Sequence, residues 1–387
     1  MSDRGCPQLL ERITARIDAV GAIPFAEFMA LALYDPQWGY YNRPQITIGR
    51  RGDFTTASTI TVDFGELLTD AFVLMWQALG QPTPFTLLEM GAGDGQFAAA
   101  VLHYSQQMHP DFFAALDYAI QEQSPTLQQR QRQWLQPWGD RLRWLSPDTV
   151  PAPFIGCIFS NELVDAFPVH RLQWQGTQWQ ELYVTLNAQG QFQDVLHPLK
   201  DDQIHQYFAT VGIDPQQQHY SDGYRTEVNL QLIPWLKQVS QCLQRGFVLT
   251  IDYGYPAHQY YHPARCEGTL QCYYQHRYHD NPYRFVGTQD ITAHVDITAL
   301  ERYGEQFGLH PLYITRQSLF LMALGLGNRL MAQQHTNGNL RQALSRHQSL
   351  HHLIDPLGLG GFYVVLQSKQ ASLRLPELDA VGSRLPL

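Results

Sequence analysis

The sequence predicts an α/β fold: a doubly wound, mostly parallel sheet with an N-terminal helical extension and an inserted α+β subdomain. Three observations lead there. From residue 85 onward, short apolar strand candidates alternate with helical segments. A glycine-rich turn, Gly91-Ala92-Gly93-Asp94-Gly95, joins the first of these strands to an alanine-rich helix. Residues 170–198 then interrupt the alternation with two strand candidates paired around Gln175-Gly176.

Taken in order, residues 1–80 read as a mostly helical extension, with Leu9, Ile13, Ile17 and Val20 at helical spacing. The turn Tyr34 to Tyr41 breaks that pattern with aromatic residues expected at the surface. Residues 81–169 form the first half of the core: a strand over Phe85 to Leu88 ending in Glu89, a helix from Gln96, a strand ending near Glu122, a helix from Pro125 and strands near 141–145 and 154–159. Residues 170–245 read as the insertion, with a helix over Leu230 to Leu243. Residues 246–370 resume the core with the β run Phe247 to Gly254, then strands at 312–314 and 362–366 around a helical stretch near 318–350. Residues 371–387 are expected to be an extended tail.

The chain has 387 residues, 44% hydrophobic and 16% charged, so a large core forms and general disorder is excluded. A formal charge of −9 argues against non-specific binding to nucleic acid or to an anionic membrane surface. Five dispersed cysteines suit reduced thiols rather than a disulfide framework. No apolar run reaches the roughly 18 residues that span a bilayer. Arg4, Arg12 and Arg16 give the N-terminus a faint presequence character, but Asp3, Glu11 and Asp18 weigh against it, and the expectation is a cytoplasmic protein.

A strand, a Gly-x-Gly turn and a helix make a nucleotide cradle, because glycine lets backbone approach a ligand closely. The dinucleotide fingerprint wants a third glycine where this chain has Gln96. Glu89 and Asp94 at the mouth of the turn would repel a pyrophosphate. They favour a ligand carrying an ammonium and a sulfonium, and S-adenosylmethionine (SAM) is that ligand. Glu122, ending the next strand, can accept both ribose hydroxyls. The competing reading makes Glu89 and Glu122 solvated strand-end charges.

The segments Phe25 to Tyr41, Gly52 to Thr56, Phe64 to Leu68, Glu89 to Gly95, Ser160 to His170, Ile251 to Gly254, Gly268 to His276 and Gln289 to Asp296 together resemble one family. It is the MidA-type class I methyltransferases, a family that includes the mitochondrial complex I assembly factor that methylates an arginine. The resemblance runs from about residue 24 to 325 and departs from the usual pattern at Ala57-Ser58-Thr59, at Thr288 and around Gly358 to Val364. It implies a class I (Rossmann-like) core, SAM as cofactor, and a protein substrate such as a subunit of a complex I-like respiratory assembly.

A guanidinium is always protonated and its lone pair is delocalised, so an arginine methyltransferase needs carboxylates that clamp the fork and aim one nitrogen. Asn161 to Pro168 follows the fourth strand, at the sheet edge that faces the ligand crevice. Glu162 and Asp165 are therefore the expected acceptor clamp, with Asn161 as a hydrogen-bonding aid; the alternative has Asp165 capping a short helix and Glu162 solvated. The expected cofactor set is Glu89, Gly91, Gly93, Asp94, Gly95 and Glu122, with Asp53 closing over SAM from the extension. Asp290 and His294, at i and i+4 on a helix or turn, either line the acceptor pocket or pack structurally, as does Asp296. The Cys and His residues between 262 and 279 fit no usual zinc spacing and suit a lid over the acceptor; no metal is expected. The alternatives to an arginine acceptor are another nitrogen or oxygen acceptor, or a non-catalytic SAM-binding assembly chaperone.

Overall fold

A computed structural model describes residues 5–43, 62–146, 151–275, 277–332 and 340–381. Its main sheet has seven strands: β1 (Phe85–Met90), β2 (Leu116–Gln121), β3 (Leu142–Leu145), β4 (Phe154–Asn161), β5 (Leu243–Asp252), β6 (His310–Arg316) and β7 (Tyr363–Lys369). They lie in the order β6-β7-β5-β4-β1-β2-β3. All neighbours are parallel except β7, which runs antiparallel to both β5 and β6.

Alternation along these strands explains why they read as unbroken apolar runs. Phe85 and Leu87 enter one core cluster, whereas Leu88 and Met90 enter the other. Phe247, Leu249 and Ile251 separate from Val248 in the same way. Both faces of the sheet are covered, as parallel sheets require. From β1 the chain winds outward through β2 and β3, then returns to place β4 on the other side of β1. This reversal makes the β1–β4 boundary the topological switch point, where a crevice opens beyond the strand C-termini.

The insertion carries a second, antiparallel sheet formed by Gln178–Leu186, His170–Gln175, Arg225–Val228 and Phe192–Pro198. The expected hairpin is present, with Trp174 opposite Trp179 across the turn. Its outer neighbour comes from the extension: Ile23–Pro24 pairs with Tyr183 and Val184. The helices α1 (Pro7–Val20) and α2 (Phe25–Tyr34) share a core with Val184, Cys272 and Ile291. The helix α3 (Val62–Ala78) instead packs on α4 (Gln96–Met108) in the main core. Buried Asp63 on α3 receives Arg329 and Arg346, tying the late helices to it.

Three expectations change. Asp290–Thr292 is a strand, paired with Gln271–Tyr274, so Asp290 and His294 do not share a helix face. The helix expected over Leu230 to Leu243 is present as Leu232–Cys242, and the Asn229 carboxamide oxygen accepts from the Leu232 N–H at its first residue. The tail is not wholly extended: Pro376–Val381 is helical, and Leu375 and Leu378 are buried in the main core. Among the described residues, no helix is long and apolar enough to cross a membrane.

Candidate active site

The glycine turn enters the crevice directly from β1. Gly91 has φ +73°, and a Cβ there would stand 2.9 Å from the Leu163 Cδ1. A side chain there is disfavoured by the backbone conformation and would also have to displace the end of the Leu163 side chain. Gly93 also has positive φ, and its carbonyl accepts from the Gln131 Nε2 at 2.8 Å. Gly91, Gly93 and Asp94 line a cavity of about 600 Å³ together with Glu89, Glu122 and Asn161. Gly95 is the exception among the expected cofactor residues. It turns the chain into α4 at φ +80° and faces Gln131 and Leu135 on α5 (Pro125–Trp134) and just beyond it, away from the cavity. Asp53 lies outside the described residues.

Glu89 and Glu122 are not solvated strand ends. Both are buried, and burial pushes each carboxyl up to about 7. The Tyr118 hydroxyl donates to Glu89 Oε2 at 2.7 Å, while Glu122 accepts from the Ser124 N–H and from Gln131 Nε2. Each Glu122 oxygen keeps a lone pair for a further donor. Asp94 is raised by partial burial and lowered again by Arg130, 3.5 Å away.

A second cavity of about 760 Å³ adjoins the first. Glu162 and Tyr41 line both. Asp165, Asp290, Thr292 and His294 line the second, with Tyr253, Tyr255 and Tyr273 supplying aromatic walls. Asn161 belongs to the first cavity only, so the expected trio is divided between the two. The Asn161 Nδ2 donates to Glu162 Oε1 at 3.1 Å, and its Oδ1 has no partner among the described residues.

Asp165 sits in a single 3-10 turn and its side chain does not cap that turn. Its Oδ2 accepts from the Tyr253 hydroxyl at 2.5 Å; Oδ1 is buried without a hydrogen-bond partner among the described residues. Burial raises the carboxyl to about 6, against the opposing pull of Tyr253 and the local backbone N–H groups. Glu162 holds φ +50°, unusual for a residue with a side chain, and its N–H donates to the Ile251 carbonyl. Buried Asp252 over-determines this bend by accepting from the Val164, Asp165 and Tyr253 N–H groups. Its own carboxyl is raised by burial and then by the charges of Asp165 and Glu162.

His294 is pushed down to about 4 by burial, so its imidazole is neutral near pH 7. Asp296 lies apart from both cavities and caps Ile297–Gln306 through the Ala299 N–H. The expected lid is partly realised: Gln271, Tyr273 and Tyr278 line the second cavity, whereas His262 and Cys266 line a separate surface hollow. Tyr40 and Tyr41 were expected at the surface; Tyr40 is buried and Tyr41 turns into the site.

A protein-family model described as "Putative S-adenosyl-L-methionine-dependent methyltransferase" matches residues 67–315. The chain belongs to this MidA-type methyltransferase family. A crystal structure of a Burkholderia thailandensis protein of the family, bound to S-adenosyl-homocysteine, is 31% identical, with a TM-score of 0.86 over 96% of this chain and 94% of that one. Two curated relatives are also similar to this MidA-type chain. Drosophila melanogaster "Protein arginine methyltransferase NDUFAF7 homolog, mitochondrial" is 28% identical over 93% of this chain and 84% of the relative. Homo sapiens "Protein arginine methyltransferase NDUFAF7, mitochondrial" is 26% identical over 91% and 81%.

The cofactor is SAM, and the first cavity suits it on physical grounds. Gly91 holds a conformation that favours glycine, and the buried carboxylates of Glu89 and Glu122 line the same cavity. When bound, SAM supplies a methyl group made electrophilic by the sulfonium.

Proposed function

We propose that this methyltransferase modifies an arginine side chain of a protein, a subunit of a respiratory-type complex during its assembly, and that Glu162 and Asp165 hold the guanidinium. The observation that carries the reading is the second cavity: acidic, aromatic-walled, joined to the cofactor cavity at Glu162, and containing a buried Asp165 oxygen without a donor among the described residues. A guanidinium supplies five N–H donors, a flat face for tyrosine walls and one positive charge. The printed names of the relatives at 26–28% identity support the same substrate class. Glu89 and Asp94 would meet the positive end of the cofactor, and Glu122 its ribose.

Transfer forms a nitrogen–carbon bond and breaks the carbon–sulfur bond, whose electron pair stays on sulfur. The methylated guanidinium keeps its charge, so one N–H proton must leave. Asp165, its carboxyl made more basic by burial and with Oδ1 lacking a partner among the described residues, is placed to take it. Positioning by the two carboxylates supplies much of the rate in such an in-line displacement.

The test is transfer of radiolabelled methyl from SAM into lysate of a strain lacking this gene, with Gly91→Arg protein as control. A discrete labelled protein, absent with the control and labelled on arginine, is the expected result. A label on another residue type would move the acceptor to a different nitrogen or oxygen group, for which the unpartnered Asn161 Oδ1 is a suitable hydrogen-bond acceptor.

A further inference from the structure

The acceptor cavity contains a third carboxylate that the clamp does not use. Asp290 is buried, lines that cavity, and accepts from the Tyr41 hydroxyl at 2.9 Å and from the Ile291 N–H at 3.0 Å through the same oxygen, Oδ1. Tyr41 is pinned at its other end. Its carbonyl accepts from the Ser124 hydroxyl at 2.6 Å, and the Ser124 N–H donates to Glu122 in the cofactor cavity. Its ring stacks on Tyr34, with centroids 5.4 Å apart, and the Tyr34 hydroxyl donates to the Ala166 carbonyl beside Asp165. Tyr41 of the N-terminal extension is thus linked through Ser124 to Glu122 in the first cavity and directly to Asp290 in the second.

We infer that Tyr41 and Asp290 form a second acceptor-binding pair, in which Asp290 takes the side of the guanidinium turned away from Glu162 and Tyr41 orients that carboxylate while walling the cation in. The inference rests on the arginine reading above and adds to it. Two carboxylates approaching a planar cation from different edges leave fewer rotations open to it than one. The unpartnered, buried Asp165 oxygen in the same cavity is an independent sign that a donor-rich group enters there. The Arg316 side chain also lines the cavity, where it stacks on Tyr363 at 3.8 Å and donates to the Gly361 carbonyl on the same wall. Among the described lining residues three are carboxylates, Glu162, Asp165 and Asp290, and one is a guanidinium. The pair also gives the extension a function in specificity, because a lysine ammonium is a point charge that gains less from a flat wall and edge-on carboxylates.

The experiment measures binding of Nα-acetyl-arginine methylamide, and of its lysine counterpart, to the protein saturated with S-adenosylhomocysteine, for wild type, Asp290→Asn and Tyr41→Phe. Cofactor-product affinity is measured in parallel by calorimetry. The expected result is a wild-type preference for the arginine probe, weakened about tenfold in Asp290→Asn and about threefold in Tyr41→Phe, with cofactor-product affinity within twofold throughout. Should Asp290→Asn fail to fold, Tyr41→Phe carries the test, since it keeps the ring and its stacking on Tyr34. Unchanged arginine-probe affinity in the folded variants would overturn the pair while leaving the arginine reading standing. A wild type that binds both probes equally, or neither, would overturn the arginine reading and this inference with it.

Discussion

The cofactor cavity draws its floor from one short stretch, Glu89 to Asp94, with Glu122 from the neighbouring strand; the acceptor cavity collects walls from residues as far apart as Tyr41, Asp165, Tyr253, Asp290 and Phe362. In the first, backbone and side chains act together: glycines at positive φ at the strand ends of a switch point, beside the buried carboxylates of Glu89 and Glu122. In the second the groups that matter are side chains, each aimed by a different element. The 162–166 loop is where the two styles meet. Its polar groups are held by Asp252 from β5, by Asn229 from the insertion, by Ala293 and by Tyr34 from the extension. The first cavity is lined by segments from Ala30 to Gln238 and the second by segments from Tyr41 to Phe362, so both need distant parts of the chain to dock, with the glycine turn the most local part of either.

Substitutions can break that contrast, and the largest effect belongs to the backbone. Gly91→Arg should reduce SAM affinity by more than about 100-fold, because the positive φ strains any side chain and the long guanidinium-bearing one would occupy the cavity that Gly91 lines. Calorimetry checks it, and near-normal binding would mean the turn is not the cradle.

Next, Glu162→Gln and Asp165→Asn should each lower methyl transfer by roughly 100-fold while SAM affinity changes less than about threefold. If both variants transfer methyl like wild type, the clamp assignment is wrong.

Asp252→Asn probes the joint between the cavities. The amide nitrogen must face a backbone N–H that a carboxylate oxygen now accepts, so one donor loses its partner, at a cost of about 1–3 kcal/mol. We expect a lower melting temperature and about tenfold slower turnover, with SAM affinity little changed. Since Asp252 lines neither cavity, a loss confined to SAM affinity would place its influence on the wrong side of the loop.

The smallest effect is on pH dependence. Glu89 and Glu122 stand at about 7 in the cofactor-free protein, and a cationic ligand binds their ionised forms. Affinity for SAM should therefore rise severalfold between about pH 6 and 7.5, with protons released on binding. The sign reverses for the protein alone: acids raised above their unfolded values lose folding stability as pH climbs from about 4.5 to 7. Glu89→Gln should lessen that loss while weakening SAM binding. A flat affinity profile over this range would show that Glu89 does not meet the positive charge and that Glu122 does not accept from the ribose in its ionised form.

How much was legible follows the same division. Alternation in β1 and β5, the switch from alternation to hairpin at residue 170, and the glycine turn are all features of contiguous chain, and each is found where expected. The spacing of Asp290 and His294 misled because four-residue intervals suggest a helix. In the strand that forms, Asp290 and Thr292 face the cavity while Ile291 enters the core of the extension, a period of two hidden in three residues. Tyr41 was visible only as an aromatic in a turn. Nothing local marks it as the wall between two cavities, because its partners lie 83 and 249 positions away. Gly95 shows the converse: it reads as part of the cradle, yet its service is to start a helix.

By itself, then, the sequence determined the doubly wound core, the cradle and the acidic character that selects a positive cofactor, since backbone geometry and alternation act over a few residues. Only the tertiary structure decided which acids lie together, and that Glu162 and Tyr41 of the N-terminal extension face both cavities. Those outcomes depend on how distant segments pack, which no local pattern encodes.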